Sequence, residues 1–420
     1  MPDPRVNPQR PRKPTESDAS TSLLRSHSAA ARTTNIELFF DLAFAFAVTQ
    51  LSHHLLTHPS VKGGLQTLLL FAMVWLVWVY TTWFTNFLDP QRLPIRVALL
   101  ALMAGGLVLS AAIPNAFAGG GPAIGIAYAA MQIGRSLFGV SVMGDDRRLQ
   151  LNFERVTIWC AVSGALAVVG GFEAHDTRGL LWFLAVTCDV VGGMVGFYVP
   201  RMGRAHTHEW QIEGNHFAER CQAFLLIALG ESVVAIGATL SGLRSVSVTE
   251  GAGFLAAFTG AAALWWIYFD RAAEAAAETI AGSDDPGRLG HRAYHLLHPV
   301  MIAGIITIAA ADDRVLGHPS ARPSVDTTLL ILGGTALFLA GDAAFVAAVW
   351  RKRSPTRVIA IVVLGLLGFL APHVANLALG CCAGAVLVAV AVADRLTAPA
   401  LSPAPEAGPD AQPLEAVSET

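Results

Sequence analysis

Residues 35–55 read NIELFFDLAFAFAVTQLSHHL, an apolar and aromatic run interrupted by two carboxylates, Glu37 and Asp41. Its length approaches the ~20 residues an α-helix needs to cross a ~30 Å hydrocarbon core. At ~100° per residue, Glu37, Asp41, Val48 and Ser52 fall within about 80° of one another. Phe39, Phe40, Phe44 and Phe46 point in other directions, so a polar stripe runs along an aromatic helix, with His53 and His54 near its far end. The two acids have two readings. They line a path, or they cap and pair at the membrane boundary, where negative charge at a helix N-terminus is favourable anyway.

Working outward, eleven more apolar segments follow, at 64–86, 95–117, 121–142, 153–172, 178–200, 216–241, 251–272, 291–312, 325–350, 356–372 and 374–395. In hydrocarbon the backbone must pair internally, so helices are the natural solution. The whole chain of 420 residues is 54% hydrophobic and 14% charged, against about 25% charge in a soluble domain. Its mean hydropathy is +0.52 even with polar tails included. A water-soluble fold could not hide that much apolar surface. The expected fold is therefore all-α, a polytopic membrane protein of about twelve helices.

The distribution of basic residues supports this count. With both tails on the cytoplasmic side, 21 of the 28 lysines and arginines fall on that side and five on the other, as the positive-inside rule requires of a cell-membrane protein. Residues 1–34 are rich in Pro, Arg, Ser and Thr and lack the apolar core of a signal peptide. They are expected to be a disordered basic tail, and 396–420 a second disordered tail. Between them lie a first six-helix bundle at 35–200, a linker at 201–215 and a second bundle at 216–395. Glu37 in helix 1 and Glu219 in helix 7 are 182 residues apart, and Trp78-Val79-Tyr80 recurs 188 residues on as Trp266-Ile267-Tyr268. Such spacing is expected of two six-helix repeats in parallel orientation.

Ionisable residues within membrane segments mark function or pairing. Here they are Asp41, Arg135, Asp189, Glu231 and Asp342. Four carboxylates against one arginine leave three without a fixed partner, at ~2.5–3.5 kcal/mol for each charge. They are expected to be protonated, solvated in a cavity or matched by a mobile cation, which suits a path for protons or small cations. Helix 7 carries Glu219, Arg220, Glu231 and Ser232. Arg220 and Glu231 are eleven residues apart, ~16 Å along the axis, so they cannot pair. Arg135 is the candidate partner of Glu231, either along a path or as a purely structural bridge.

Asp270 closes helix 8, and His291, His295 and His298 lie along helix 9. Two of these histidines could face one way as metal ligands, but no matching carboxylate set accompanies them, so neither metal nor cofactor is expected. The tryptophans of helices 2 and 8 are expected to serve packing and interface belts. The five cysteines form no CxxC pattern, and no hydrolase or phosphate-loop signature occurs. No catalytic residue is assigned. A net charge of -3 gives no reason to expect a nucleic-acid partner.

The stretch at 35–55 resembles the LtrA family, the bacterial low temperature requirement A proteins. The resemblance continues through WVYTTWFTNFLD at 78–89, HFAERCQAFLLIALGESVVAIG at 216–237, LWWIYFD at 264–270 and YHLLHPVMIAGI at 294–305. It implies a multi-pass membrane protein associated by name with growth in the cold, and within helix 9 it selects His298 over His295. Helix 1 is also similar, more distantly, to the Phe-Ser-Asp motif of the six-helix-repeat potassium and proton leak channels of endolysosomes and bacteria. In those channels the first helix lines the pore. Here Phe40 replaces the serine and no arginine immediately precedes Glu37.

Three functions follow as expectations. The first is a channel or transporter for protons, small cations or a small solute, with Glu37, Asp41, Ser52, His53, Arg135, Asp189, Glu219, Arg220, Glu231, Ser232, Asp270 and His298 along or beside the path. The second is a membrane-embedded enzyme on a hydrophobic substrate, using His291, His295, His298 and Asp270. The third is a non-catalytic stress or sensory membrane protein. The expected partners are the lipid bilayer, the transported ion or solute, and further copies of the chain in a homo-oligomer.

Overall fold

The apolar segments become helices wherever a cap can close their ends. In the computed structural model, which describes residues 23–25, 33–143, 146–205, 214–241, 247–270 and 272–397, twelve principal helices follow in chain order. They are α1 (Asn35–Thr57), α2 (Val61–Phe87), α3 (Leu93–Ala112), α4 (Gly121–Val142), α5 (Arg147–Phe172), α6 (His175–Met194), α7 (Gly214–Ser241), α8 (Val248–Phe269), α9 (His298–Gly317), α10 (Gly334–Trp350), α11 (Pro355–Leu367) and α12 (Asn376–Thr397). Most of both tails and of the 201–215 linker lies outside the described residues. Residues 23–25, expected in a disordered tail, instead pair with the end of α2: Arg25 N–H donates to Phe87 and Asp89 N–H to Leu23.

Local chemistry sets the helix starts. Glu37 reaches back to accept from the Thr34 N–H at 2.9 Å, Ser60 accepts from Gly63 ahead of α2, and Asp146 accepts from Arg148 and Leu149 ahead of α5. Proline occupies the first or second position of α3, α4 and α11, where its missing N–H costs nothing.

Nine helical segments among the described residues are long and apolar enough to cross a membrane. The other three principal helices are α1, α6 and α11. The first two carry the polar side chains described below, and α11 has only 13 residues. Large apolar side chains on the outer faces are open, with Leu42 57%, Val97 56% and Leu366 60% exposed. Soluble monomers rarely expose such surface. The molecule is an all-α multi-pass membrane protein whose outer face meets lipid.

Small residues let the helices approach closely. A Cβ at Gly125 of α4 would lie 2.3 Å from the Ala167 carbonyl of α5, and one at Gly304 of α9 would lie 2.5 Å from the Phe338 nitrogen of α10. Helix α1 packs on α2, α3, α7 and α9 and keeps one face, with Phe39 and Leu42, open.

Three features depart from the sequence expectation. Helix α6 ends at Met194 rather than 200, because the chain turns through Gly196 at φ +66° and Phe197 at φ 50°. A Cβ at Gly196 would lie 2.3 Å from the Ala205 carbonyl, so glycine is required there. A short helix at Ala272–Ala281 follows α8. Ahead of α9, residues His291–Leu297 form a π-helical turn, which changes the phase of the side chains relative to an α-helix.

Candidate functional site

The i, i+4 spacing of Glu37 and Asp41 on α1 is matched by the i, i+4 spacing of His216 and Arg220 on α7. The helices run parallel, and the two pairs meet. His216 Nε2 donates to Glu37 Oε1 at 2.9 Å, and Arg220 Nη2 donates to Asp41 Oδ1 at 2.7 Å. Arg220 Nη1 lies 3.9 Å from Glu37 Oε1, and Arg25 Nη2 lies 3.6 Å from the same oxygen. All four side chains of the α1–α7 pairs are fully buried.

Trp78 of α2 closes the cluster by donating from Nε1 to Asp41 Oδ1 at 2.7 Å. The Arg220 guanidinium lies over the rings of Trp78 and Phe40, 5.6 and 5.9 Å from their centroids, so the cation is held by aromatic faces as well as by carboxylates. Asp41 Oδ2 has no hydrogen-bond partner among the described residues. Trp78 therefore does more than pack, as do Trp75 and Trp83, which donate to the backbone oxygen and Nδ1 of His295.

Further along the same seam, Thr49 of α1 donates to Glu231 Oε2 of α7 at 2.6 Å. This corrects the expectation that Arg135 pairs with Glu231. Among the described residues Glu231 has no cationic partner. Thr49 is eight residues beyond Asp41, ~12 Å along the axis. An aromatic layer fills the interval: the Phe224 ring of α7 lies 4.6 Å from Trp78, 5.4 Å from Trp75 and 6.5 Å from Phe44. Ser232, beside Glu231, is buried and its hydroxyl has no partner among the described residues.

A second buried polar group lies within the first half of the chain. Asp189 of α6 accepts from Tyr128 Oη and from Gln132 Nε2 at 2.8 Å, while its backbone oxygen accepts from Tyr80. Gln132 Oε1 in turn accepts from Arg135 at 2.6 Å. Arg135 and Asp189 are thus joined through an amide rather than by a direct hydrogen bond, and among the described residues Arg135 makes no bridge to the second half.

The count of unpartnered carboxylates also changes. Asp41 is matched by Arg220, and Asp342 by Arg357, which also bonds Asp394. That last trio ties α10, α11 and α12 together and is a structural bridge. Asp189 and Glu231 keep only neutral donors. Asp312 on α9, not singled out from the sequence because it sits in the Asp-Asp-Arg run closing its helix, has an unpartnered Oδ2 among the described residues.

The remaining candidates separate. Ser52 is buried; His53 is exposed, and it is His54 that lies inside, bonded to Thr67 at 2.9 Å. Glu219 accepts from the Thr33 N–H and hydroxyl at the start of α1. Asp270 pairs with Arg395 at 2.9 Å. The π-turn stacks His291 on His295, with ring centroids 4.6 Å apart. His298 faces elsewhere, toward the Cys221 carbonyl at 3.0 Å, with Tyr268 and Tyr294 beside its ring. Among the described residues no group of three or more His, Cys, Asp or Glu could hold a metal ion. The three histidines and Asp270 do not form one site.

His216, Thr49, Trp78, Tyr128 and Gln132 were not singled out as site residues from the sequence. The signal for His216 was its one-turn spacing from Arg220, which mirrors Glu37 and Asp41. For the neutral partners no local signal exists.

The model of the bacterial low temperature requirement A protein family matches residues 32–392. The chain is 35% identical over 367 residues to the uncharacterized protein RA0937 of Rhizobium meliloti (strain 1021), covering 85% of this chain and 87% of that protein. No solved structure matches the chain significantly. On the span of the family match and the extent of this identity, the chain belongs to the LtrA family of bacterial low temperature requirement A proteins.

Proposed function

We propose that the protein is a channel or transporter of the cell membrane, with protons or small cations moving along the α1–α7 seam and both termini in the cytoplasm. The observation that carries this reading is Glu231. It is a carboxylate well inside a membrane helix whose one hydrogen-bond partner among the described residues is the Thr49 hydroxyl. An anion so placed must hold a proton, be solvated in a cavity or meet a mobile cation, and each of these suits a path. Two polar levels on one pair of helices, Asp41 with Arg220 and Thr49 with Glu231, give a permeating species two stations. The Phe44, Trp75, Trp78 and Phe224 layer between them is a closed hydrophobic constriction of the kind that gates by excluding water.

The test is flux into liposomes carrying the purified protein, read with pH- and potassium-sensitive dyes under an imposed gradient. Flux is expected, and it should fall in Glu231→Gln, which breaks no ion pair, and further in the double variant Asp41→Asn, Glu231→Gln. Absence of proton and potassium flux from folded, inserted protein overturns the reading, as does flux that both variants leave unchanged.

A further inference from the structure

Away from the seam, the facing ends of α2, α4, α5 and α6 and the π-turn before α9 border a partly open cavity of about 60 Å³, room for about four to six small heavy atoms. None of its lining residues belongs to α1 or α7. The wall is largely aromatic, with Tyr80, Trp83, Phe84 and Phe197 facing the space. Phe197 adopts the left-handed region at φ 50°, a costly conformation for an aromatic residue.

Three groups on this wall bear on a ligand: His295, Arg135 and the Asn152 amide, whose Oδ1 is buried without a partner among the described residues and which can present its NH2 instead to an anion. His295 is 4% exposed. Its Nδ1 receives the Trp83 indole N–H at 3.2 Å. Indole nitrogen only donates, so Nδ1 is the acceptor and the imidazole proton sits on Nε2. That Nε2–H is buried and has no acceptor among the described residues.

Arg135, also 4% exposed, spends its terminal nitrogens on neutral acceptors: the Val77 carbonyl, the Thr81 hydroxyl and Gln132 Oε1. Its guanidinium lies 5.3 Å from the Tyr80 ring centroid, and no carboxylate lies within ion-pair distance among the described residues. The cavity therefore combines a donor without an acceptor, a cation without a direct counter-ion, and an apolar wall. These are the elements of a small-molecule site, and their signs select an anion.

We propose that this cavity binds a short monocarboxylate, with the carboxylate between Arg135 and the His295 Nε2–H and the hydrocarbon against the aromatic wall. Arginine favours carboxylate over a neutral amide because the hydrogen bonds are charge-assisted. The volume admits acids of the size of propionate or butyrate.

The test is ligand-observed NMR on the full chain in nanodiscs with butyrate, its neutral isostere butyramide, and inorganic phosphate. Butyrate should bind at least about tenfold more tightly than butyramide, and phosphate should not displace it. Val156 lines the cavity, so Val156→Phe puts a ring into the space while leaving Arg135 and His295 unsubstituted; it should abolish butyrate binding while ion flux and thermal stability stay at the unsubstituted level. His295→Phe should weaken butyrate by about tenfold. Equal binding of butyrate and butyramide, no butyrate binding at all, displacement by phosphate, or unchanged affinity in folded Val156→Phe would each overturn the proposal. Because Glu231 is not part of this cavity, flux through the α1–α7 seam can stand or fall independently.

Discussion

Arg220 of α7 and Asp41 of α1 meet at 2.7 Å with neither side chain exposed, which ties the two halves of the chain together by a buried charge pair. Desolvation makes such a pair a weak source of net stability, while removing one partner leaves an uncompensated charge at a cost of about 3–5 kcal/mol. Asp41→Asn and Arg220→Gln should therefore each lower the thermal midpoint of the purified protein strongly. The double variant should recover much of the loss. Tryptophan fluorescence or thiol-reactive dye melting in detergent reads this directly, and strictly additive losses would contradict the pairing.

The Phe224 ring separates the Asp41 level from the Glu231 level. It lies one turn beyond Arg220 and two turns before Glu231, in contact with Trp75 and Trp78. Truncating it removes the bulk of the constriction, so Phe224→Ala should raise proton or potassium leak by about tenfold or more if water then wets the layer. Some fall in stability accompanies it, about 3–5 kcal/mol for a buried Phe→Ala. Leak unchanged in folded Phe224→Ala liposomes would place the pathway elsewhere.

The helical segments were legible because apolar length is a local property that one stretch of chain displays by itself. The pairing of Arg220 with Asp41 was not, since it depends on α1 and α7 meeting across 179 residues. Glu231 shows the same limit more sharply. A basic partner was expected for it, yet a threonine is chemically too ordinary to mark itself in sequence, and Thr49 lies 182 residues away. The histidines of α9 misled for another reason. An α-helical period brings residues three apart toward one face, but the π-turn at His291–Leu297 shifts that phase, so His295 and His298 part company. Asp189 was recognised as buried, though Tyr128 and Gln132, its neutral donors, carry no signal by composition.

With both termini in the cytoplasm, as proposed, the Arg351-Lys352-Arg353 turn would be cytoplasmic and Lys62 on the opposite side, the arrangement the charge bias favours. Arg351, Lys352 and Arg353 are exposed between α10 and α11, and the Lys62 side chain is 66% exposed, so each site is open to a reagent. In a cysteine-free background, Lys352→Cys should react with a membrane-impermeant maleimide only in inside-out vesicles, and Lys62→Cys only in right-side-out vesicles. Reversed labelling would invert the topology, and labelling of both sites from one side would break the odd number of crossings, α2 to α10, between them.

Arg178 argues for a role that its place in the sequence, near a loop, does not announce. Only 6% exposed, it donates to five carbonyls, those of Ala116, Ala118, Gly170, Gly171 and Glu173. It thus satisfies the C-terminal end of α5 and the turn after α3 with one guanidinium, as a cation at a helix C-terminus should. Gly121 makes room for it, since a Cβ there would lie 2.5 Å from the Arg178 Cζ. Replacing the fork by a neutral side chain strands several buried acceptors, so Arg178→Gln should destabilise by at least about 3 kcal/mol. Arg178→Lys, which keeps the charge but loses the planar donors, should fall between the two. Gly121→Val should cost at least as much as Arg178→Gln, since its Cβ would meet the Gly171 carbonyl at 2.6 Å as well as the guanidinium. Because these residues lie off the α1–α7 seam, flux per folded molecule should stay within about twofold of the unsubstituted protein, by the near-independence of distant sites. Thermal melting and flux measured on the same preparations separate the two effects, and a flux loss without a stability loss would assign Arg178 to the pathway instead of the scaffold.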